Sequence, residues 1–319
     1  MRGLLLAGLI DQAEQAEQRY RERCQDTPGP GELITSTMCG AVAQARGLVR
    51  TAARWFRQVL AGNGNWSFSL LTDLPGVLGM AGKASLARQA LEEMTAARNP
   101  AHAFLDPELL LARGWAAAAE GAVSQATALA RQAAELAASQ HQPAAEVLAL
   151  HTAVCFGDRT VADRLAELAT QVDGPRAPAA AAHAAGLAAD DGAALHAASV
   201  RLEKMGALLL AADAAAHAAS AHGRHQQRGS AQAAATRAHQ LAEASEGART
   251  PALAAVAAPL PLTSREREIV ALAAGGLSNR QIADRLIVSV RTVEGHLYRA
   301  CGKLGATDRT ELAALLHSD

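Results

Sequence analysis

At 319 residues the chain exceeds one ordinary domain; half of it is apolar, but only 3% is aromatic. Alanine supplies most of that apolar share and, as the best helix former, loses no side-chain entropy on ordering, so runs such as Ala116–Ala119 and Ala179–Ala182 exclude a strand-built fold and predict an all-α one. A net charge of −1 excludes attraction of nucleic acid by a global field, so any basic surface has to be local.

The amino-terminal segment Gly3–Ile10 is apolar but short, and it runs into Asp11-Gln12-Ala13-Glu14 with no cleavage signal. Nothing approaches the ~20 apolar residues of a membrane helix, so a soluble, cytoplasmic protein with no membrane partner is expected. Arg2 opens directly into a helical pattern without a polar capping repeat. Gly3–Ile10 is therefore expected to pack on something, either another subunit or the missing part of a longer regulator. Cys24, Cys39, Cys155 and Cys301 are far apart and lack CxxC spacing, which predicts free thiols in a reducing compartment and neither a disulfide frame nor a zinc site.

Residues 1–250 repeat. Glycines recur at Gly47, Gly82, Gly121, Gly157, Gly192 and Gly229, a period in the mid-thirties, and an alanine follows each at the fifth position (Ala52, Ala87, Ala126, Ala162, Ala197, Ala234). Trp55, Leu129, Leu165 and Val200 add a large apolar residue at the eighth, from which Ala90 and Arg237 depart. Such a period marks stacked helical hairpins, with Gly turning between helices and Ala letting them approach closely. The pattern resembles a degenerate tetratricopeptide-type array, whose concave face would take an unknown protein or small-molecule effector. Gly206–His225 and Gly229–Glu243 read as the last hairpin, with Arg224, Arg228 and Arg237 on a solvated face. Gly79–Ala84 superficially matches a phosphate loop but lacks the first glycine and has Ala84 where Ser or Thr is required, so it reads as a repeat boundary. His222-x-x-His225 lacks a third ligand nearby, and no metal or cofactor is expected. No paired carboxylates, nucleophile elbow or triad order stands out, so the chain reads as a non-enzyme.

Pro251, Pro259 and Pro261 bracket a small-residue stretch and predict an interdomain linker over 251–261, with helix disfavoured across it. Residues 262–319 then read as a DNA-binding domain. Thr263-Ser264-Arg265-Glu266 is a capping box before a first helix with Ile269, Leu272 and Ala273 inward. Ser278-Asn279-Arg280-Gln281 is a second box, before Ile282, Ala283 and Leu286; Ile287-Val288 turn, and Ser289 caps the third helix. On that helix Val293, Leu297, Ala300 and Leu304 form one stripe, with Arg291, Gly295, Tyr298 and Gly302 opposite, flanked by Glu294 and Arg299. This is the plan of a helix-turn-helix reader with 289–304 in the major groove. Arg291 and Arg299 can reach guanine edges or phosphates, and Glu294 can accept from a cytosine amino group. Ser289 and Thr292 at the helix start suit a phosphate, and Lys303 the DNA backbone. Arg280, Arg285, Arg291, Arg299 and Lys303 outnumber Asp284 and Glu294 only modestly, which favours dimeric binding. Thr310–His317 reads as a fourth helix, with Leu312, Leu315 and Leu316 as a dimer face.

On these residues the segment Leu262–Leu316 resembles the LuxR/FixJ-type carboxy-terminal DNA-binding domain: Arg265-Glu266, Ser278-Asn279 with Ile282-Ala283, Ser289 with Thr292-Val293, His296, and Lys303-Leu304-Gly305. The resemblance implies that the third helix enters the major groove of double-stranded DNA and that the fourth pairs subunits into a homodimer. The alanine-rich hairpins further resemble the carboxy-terminal half of large ATP-binding LuxR-family regulators, without their ATPase domain. The expected function is sequence-specific transcription regulation, with the repeats binding partners or regulating. The alternative is a helical-repeat adaptor carrying a vestigial DNA-binding domain. A nucleotide-dependent switch is opposed by the failed phosphate loop.

Overall fold

A computed structural model describes the chain except residues 25–29, 62–72, 97–99, 258–261, 305, 307–310 and 312–319. The described residues are helical throughout, with no strand. Among the described residues, six helix pairs follow α1 (Arg2–Ala7) and α2 (Ile10–Cys24). They are α3 (Pro30–Arg46) with α4 (Val49–Ala61), α5 (Leu74–Met80) with α6 (Ala84–Ala96), and α7 (Asp106–Ala119) with α8 (Val123–Ser139). Next are α9 (Pro143–Cys155) with α10 (Ala162–Leu168), α11 (Arg176–Ala188) with α12 (Gly192–Lys204), and α13 (Leu208–Arg224) with α14 (Arg228–Ala244).

The glycine period marks the turn inside the first four pairs: Gly47, Gly82, Gly121 and Gly157 all have φ between 69° and 97°, a left-handed backbone that suits Gly. The last two pairs depart from it. There Asp190 (φ 54°) and Gln226 (φ 59°) turn the chain, while Gly192 and Gly229 already lie inside the following helices. Asp190 is fixed in that conformation by Arg159 (2.9 Å) and Arg224, and Asp191 next to it caps α12 by accepting from the Ala193 and Ala194 amides. In the fifth pair the register slips as well, while Ala234 of the sixth stays buried where the period puts it. Ala52, Ala87 and Ala126 are fully buried, whereas Ala197 is exposed and its neighbour Ala198 points inward. The Gly79–Ala84 segment is one of these turns, closed by the Lys83 amide on the Leu78 carbonyl at 2.9 Å.

The amino-terminal helix packs within its own chain. It lies across this chain's own later repeats, where the buried Arg176 donates to the Leu5 carbonyl (3.1 Å) and Gly8 abuts Met205 and Arg176. Arg2 pairs with Glu108, and Arg46 holds Asp11 (2.7 Å) and Glu14 (2.6 Å) from α2.

Beyond α14 the chain returns along the row of repeat turns. Glu246 accepts from the Thr51 amide (2.8 Å) and hydroxyl (2.6 Å), and the Arg249 amide donates to the Met80 carbonyl (2.8 Å). The junction is correspondingly more ordered than its prolines suggested. Residues Pro251–Ala257 form α15, with Pro251 in the first turn, where a missing N–H costs nothing. The Thr250 hydroxyl accepts from the Leu253 amide (3.2 Å), and Ala252 and Leu253 bury against the array. Prolines at 259 and 261 belong to a segment outside the described residues.

Candidate nucleic-acid interface

Three helices make the carboxy-terminal unit: α16 (Ser264–Ala274), α17 (Asn279–Leu286) and α18 (Val290–Leu304). Both capping boxes form. Thr263 Oγ1 accepts from the Glu266 amide while the Glu266 carboxylate accepts from the Thr263 amide at 2.8 Å, and Ser278 and Gln281 repeat the exchange. Ile287 ends α17 in the left-handed region (φ 54°) with its side chain 93% exposed, an uncommon place for a β-branched residue. This αL turn lets α18 start within three residues. Ser289 Oγ then accepts from the Thr292 amide at 3.1 Å.

Ile269, Leu272, Ala273, Ile282, Ala283, Leu286, Val293 and Ala300 are buried, as their spacing predicts, and Leu297 is half-buried. The opposite side of α18 faces outward: Arg291, Thr292, Glu294, Tyr298, Arg299 and Lys303 are exposed, Tyr298 by 83%, and Gly295 is half-exposed beside them. Ser278 and Ser289 are exposed and Asn279 half-exposed, so the start of α17 opens onto solvent as well. The structure thus presents the ten sequence-identified residues at the surface, most of them on one helix.

Their charges are not equivalent. Lys303 Nζ sits 2.6 Å from Glu266, and Arg299 Nε lies 3.6 Å from the same carboxylate while its Nη2 meets His296 Nδ1 at 3.0 Å. Lys303 is therefore tied to the first helix of its own domain. Among the described residues nothing pairs with Arg291. Arg285, counted by sequence as part of the basic surface, faces the array instead, bound to Glu120 and to Gln125 Oε1 (2.8 Å).

Lys303, and then the Thr263 amide, hold the Glu266 carboxyl down to about 2. A carboxyl depressed in the fold contributes stability that is complete above its unfolded value and is lost as pH falls through the folded one. The wild-type protein should therefore lose stability between about pH 4.5 and 2 relative to Glu266→Gln, and the two melting curves should converge at the acid end of that window. Parallel pH profiles would show that the Lys303 pair contributes nothing.

Sequence reasoning missed the seam that joins this unit to the repeats. Glu268 of α16 accepts from the Ser124 amide (2.6 Å) and hydroxyl (2.8 Å) at the start of α8, and from Arg265 (2.7 Å). Gly121 allows the approach: a Cβ there would lie 2.5 Å from the Ala271 Cβ. Glu268 sits on the α16 surface at no recognisable motif position, so only the fold reveals it. Among the described residues the polar contacts to the array come from α16 and α17, leaving the outer face of α18 turned away.

Comparison with known proteins gives this geometry a family. Residues 260–316 match the model of the luxR family of bacterial regulatory proteins. Rv0890c of Mycobacterium tuberculosis, named an HTH-type transcriptional regulator, is 51% identical over 51 residues, 16% of this chain and 6% of that protein. The transcriptional regulatory protein LiaR of Bacillus subtilis is 39% identical over 56 residues, 18% of this chain and 26% of LiaR. The similarity thus spans a small part of either partner's length. A Rap protein, solved in complex with Competence and Sporulation Factor, aligns over 99% of this chain and 92% of its own at a TM-score of 0.56 and 15% identity, a likeness of fold. The carboxy-terminal unit is a helix-turn-helix domain of the luxR family, seated on an array of helical repeats.

Proposed function

We propose that the chain is a sequence-specific DNA-binding transcription regulator that places α18 in the major groove. The observation carrying this reading is the outer face of α18, where Arg291, Glu294, Tyr298 and Arg299 are exposed around a glycine and away from the array. Arg291 is the base reader, since it is exposed and a guanidinium fits a guanine edge bidentately. Ser289 and Thr292 at the helix start, with Ser278 and Asn279 on α17, hold phosphates. Arg299 and Lys303, anchored on Glu266, flank the groove. The repeats bind an effector, protein or small molecule, and bias how the reader sits, because Glu246 and Glu268 fasten it to the repeat turns. Two chains pairing through residues 310–317, of which only Glu311 is among the described residues, would read an inverted repeat with half-sites about 34–36 Å apart.

Selection of bound fragments from random and genomic DNA by the full chain, followed by footprinting, tests this. One enriched inverted repeat supports it. Retention no better than bulk competitor DNA would leave the adaptor reading in its place.

Gly295 gives a sharper check. A Cβ at Gly295 would meet only the end of the Arg299 side chain, at 3.7 Å, so nothing inside the protein demands glycine. Gly295→Ala should raise helix stability by about 1 kcal/mol and yet weaken DNA binding, because the added methyl stands between the helix and the groove floor. Tighter or unchanged binding by the more stable variant would remove α18 from close contact with DNA.

A further inference from the structure

The histidines that look scattered along the sequence meet inside the array. His151 on α9, His183 on α11 and His217 on α13 sit one repeat apart and form a chain, with His151 Nε2 3.1 Å from His183 Nδ1 and His183 Nε2 2.9 Å from His217 Nδ1. All three are buried. Cys155, one turn beyond His151 on α9, completes a set in which one nitrogen each of His151 and His183 and the Cys155 sulfur lie within 4.8 Å of one another. Asp213, one turn before His217 on α13, is fully buried and faces the Cys155 thiol. We propose that His151, Cys155 and His183 bind a borderline-soft divalent cation of the zinc class, with Asp213 beside the Cys155 ligand.

Three features support a metal over a hydrogen-bonded core. First, hydrogen bonds do not complete the cluster: one oxygen of the buried Asp213 carboxylate, beside the Cys155 thiol, has no partner among the described residues. Orphaned buried polar atoms are rare, and this one lies at the edge of the cluster. Second, the geometry is close. Metal–nitrogen bonds of about 2.0–2.1 Å at a tetrahedral angle separate two nitrogens by roughly 3.3 Å, so the His151–His183 pair has to open only slightly. His183 then keeps its other nitrogen on His217, the kind of second contact that fixes a ligating imidazole. Third, the ligands are chemically apt. Two imidazoles and a thiol are donors that a borderline-soft cation takes. The thiolate that forms on binding also faces the buried Arg176 guanidinium. On binding, the Cys155 S–H bond breaks, a metal–sulfur bond forms and the proton leaves to solvent; the imidazoles bind without losing one.

The site also reaches the junction. Asp213 accepts from the Thr250 hydroxyl, the same hydroxyl that caps α15 ahead of the reader.

Cobalt(II) serves as the probe, added to chelator-treated full-length protein and, to admit metal to a buried site, also present during refolding. Expected are one equivalent bound, a sulfur-to-cobalt charge-transfer band in the near ultraviolet, and loss of that band on adding zinc. Cys155→Ser should abolish the band, and Cys39→Ser, Cys301→Ser and the double change His222→Gln with His225→Gln should keep it. Zinc should also raise the wild-type melting temperature by several degrees. The proposal is overturned if wild-type protein shows no charge-transfer band by either route, or if the band survives in folded Cys155→Ser. Should Cys155→Ser not fold, His183→Gln and the wild-type stoichiometry decide: a band that persists in His183→Gln, or that saturates only at several equivalents, overturns it equally.

Discussion

Glu268→Ala should lower stability by about 2–4 kcal/mol. The side chain is only 4% exposed and bonds the Ser124 amide, the Ser124 hydroxyl and Arg265 at once. Ala122, where α8 begins, supplies no side-chain cap, so this reader carboxylate caps a repeat helix. Its removal leaves the Ser124 amide without an acceptor and Arg265 without its acid, so the melting temperature should fall by roughly 3–6 °C. Hydrogen exchange at the Ser124 amide should quicken in step, and Glu268→Gln should lose less, since its amide oxygen still accepts. A variant melting within about 0.5 kcal/mol of wild type, with Ser124 still protected, would mean that the seam does not hold the reader.

Arg291→Ala should weaken binding to the selected DNA by about 1–3 kcal/mol, roughly 5- to 150-fold, while stability stays within about 0.5 kcal/mol. Arg291 is exposed and, among the described residues, without an ion pair, so the fold loses nothing with it. Anisotropy titrations against the selected site and its single-base variants separate the possible roles. A base reader loses discrimination at one position. A phosphate contact weakens all sequences alike and lowers the salt slope by about one; that outcome would move recognition away from Arg291. Lys303→Ala should by contrast reduce both stability and binding, because Glu266 loses its partner.

Both capping boxes and the inward stripe of α18 could be read from sequence because each is a local pattern within a few turns of helix, and the helical class and repeat period because composition and spacing recur along the chain. Long-range relations were less legible. The glycine period located four turns and missed two, because an aspartate and a glutamine adopt the left-handed conformation there. The prolines at 251–261 suggested a break, yet Pro251 starts a helix. Glu268, Arg285 and Glu246 look like ordinary surface charges until the fold brings the repeat turns beneath them. For the histidines a signal existed: 151, 183 and 217 fall on the repeat period, which stacks equivalent positions. Spacing motifs written for single loops or helices do not register that alignment.

Because Glu246 and Glu268 cap helices that belong to the repeats, the two halves of this chain are not interchangeable cassettes. Grafting a foreign reader after residue 250 would keep the array intact only if the newcomer brings an acid to the position of Glu268 and a small residue to that of Ala271. Adding or deleting a single residue within α16 ahead of Glu268 would shift that acid about 100° around its helix. Chimeras built from related sequences should therefore tolerate exchanges on the outer face of α18 far better than a change in the length of the first turn of α16.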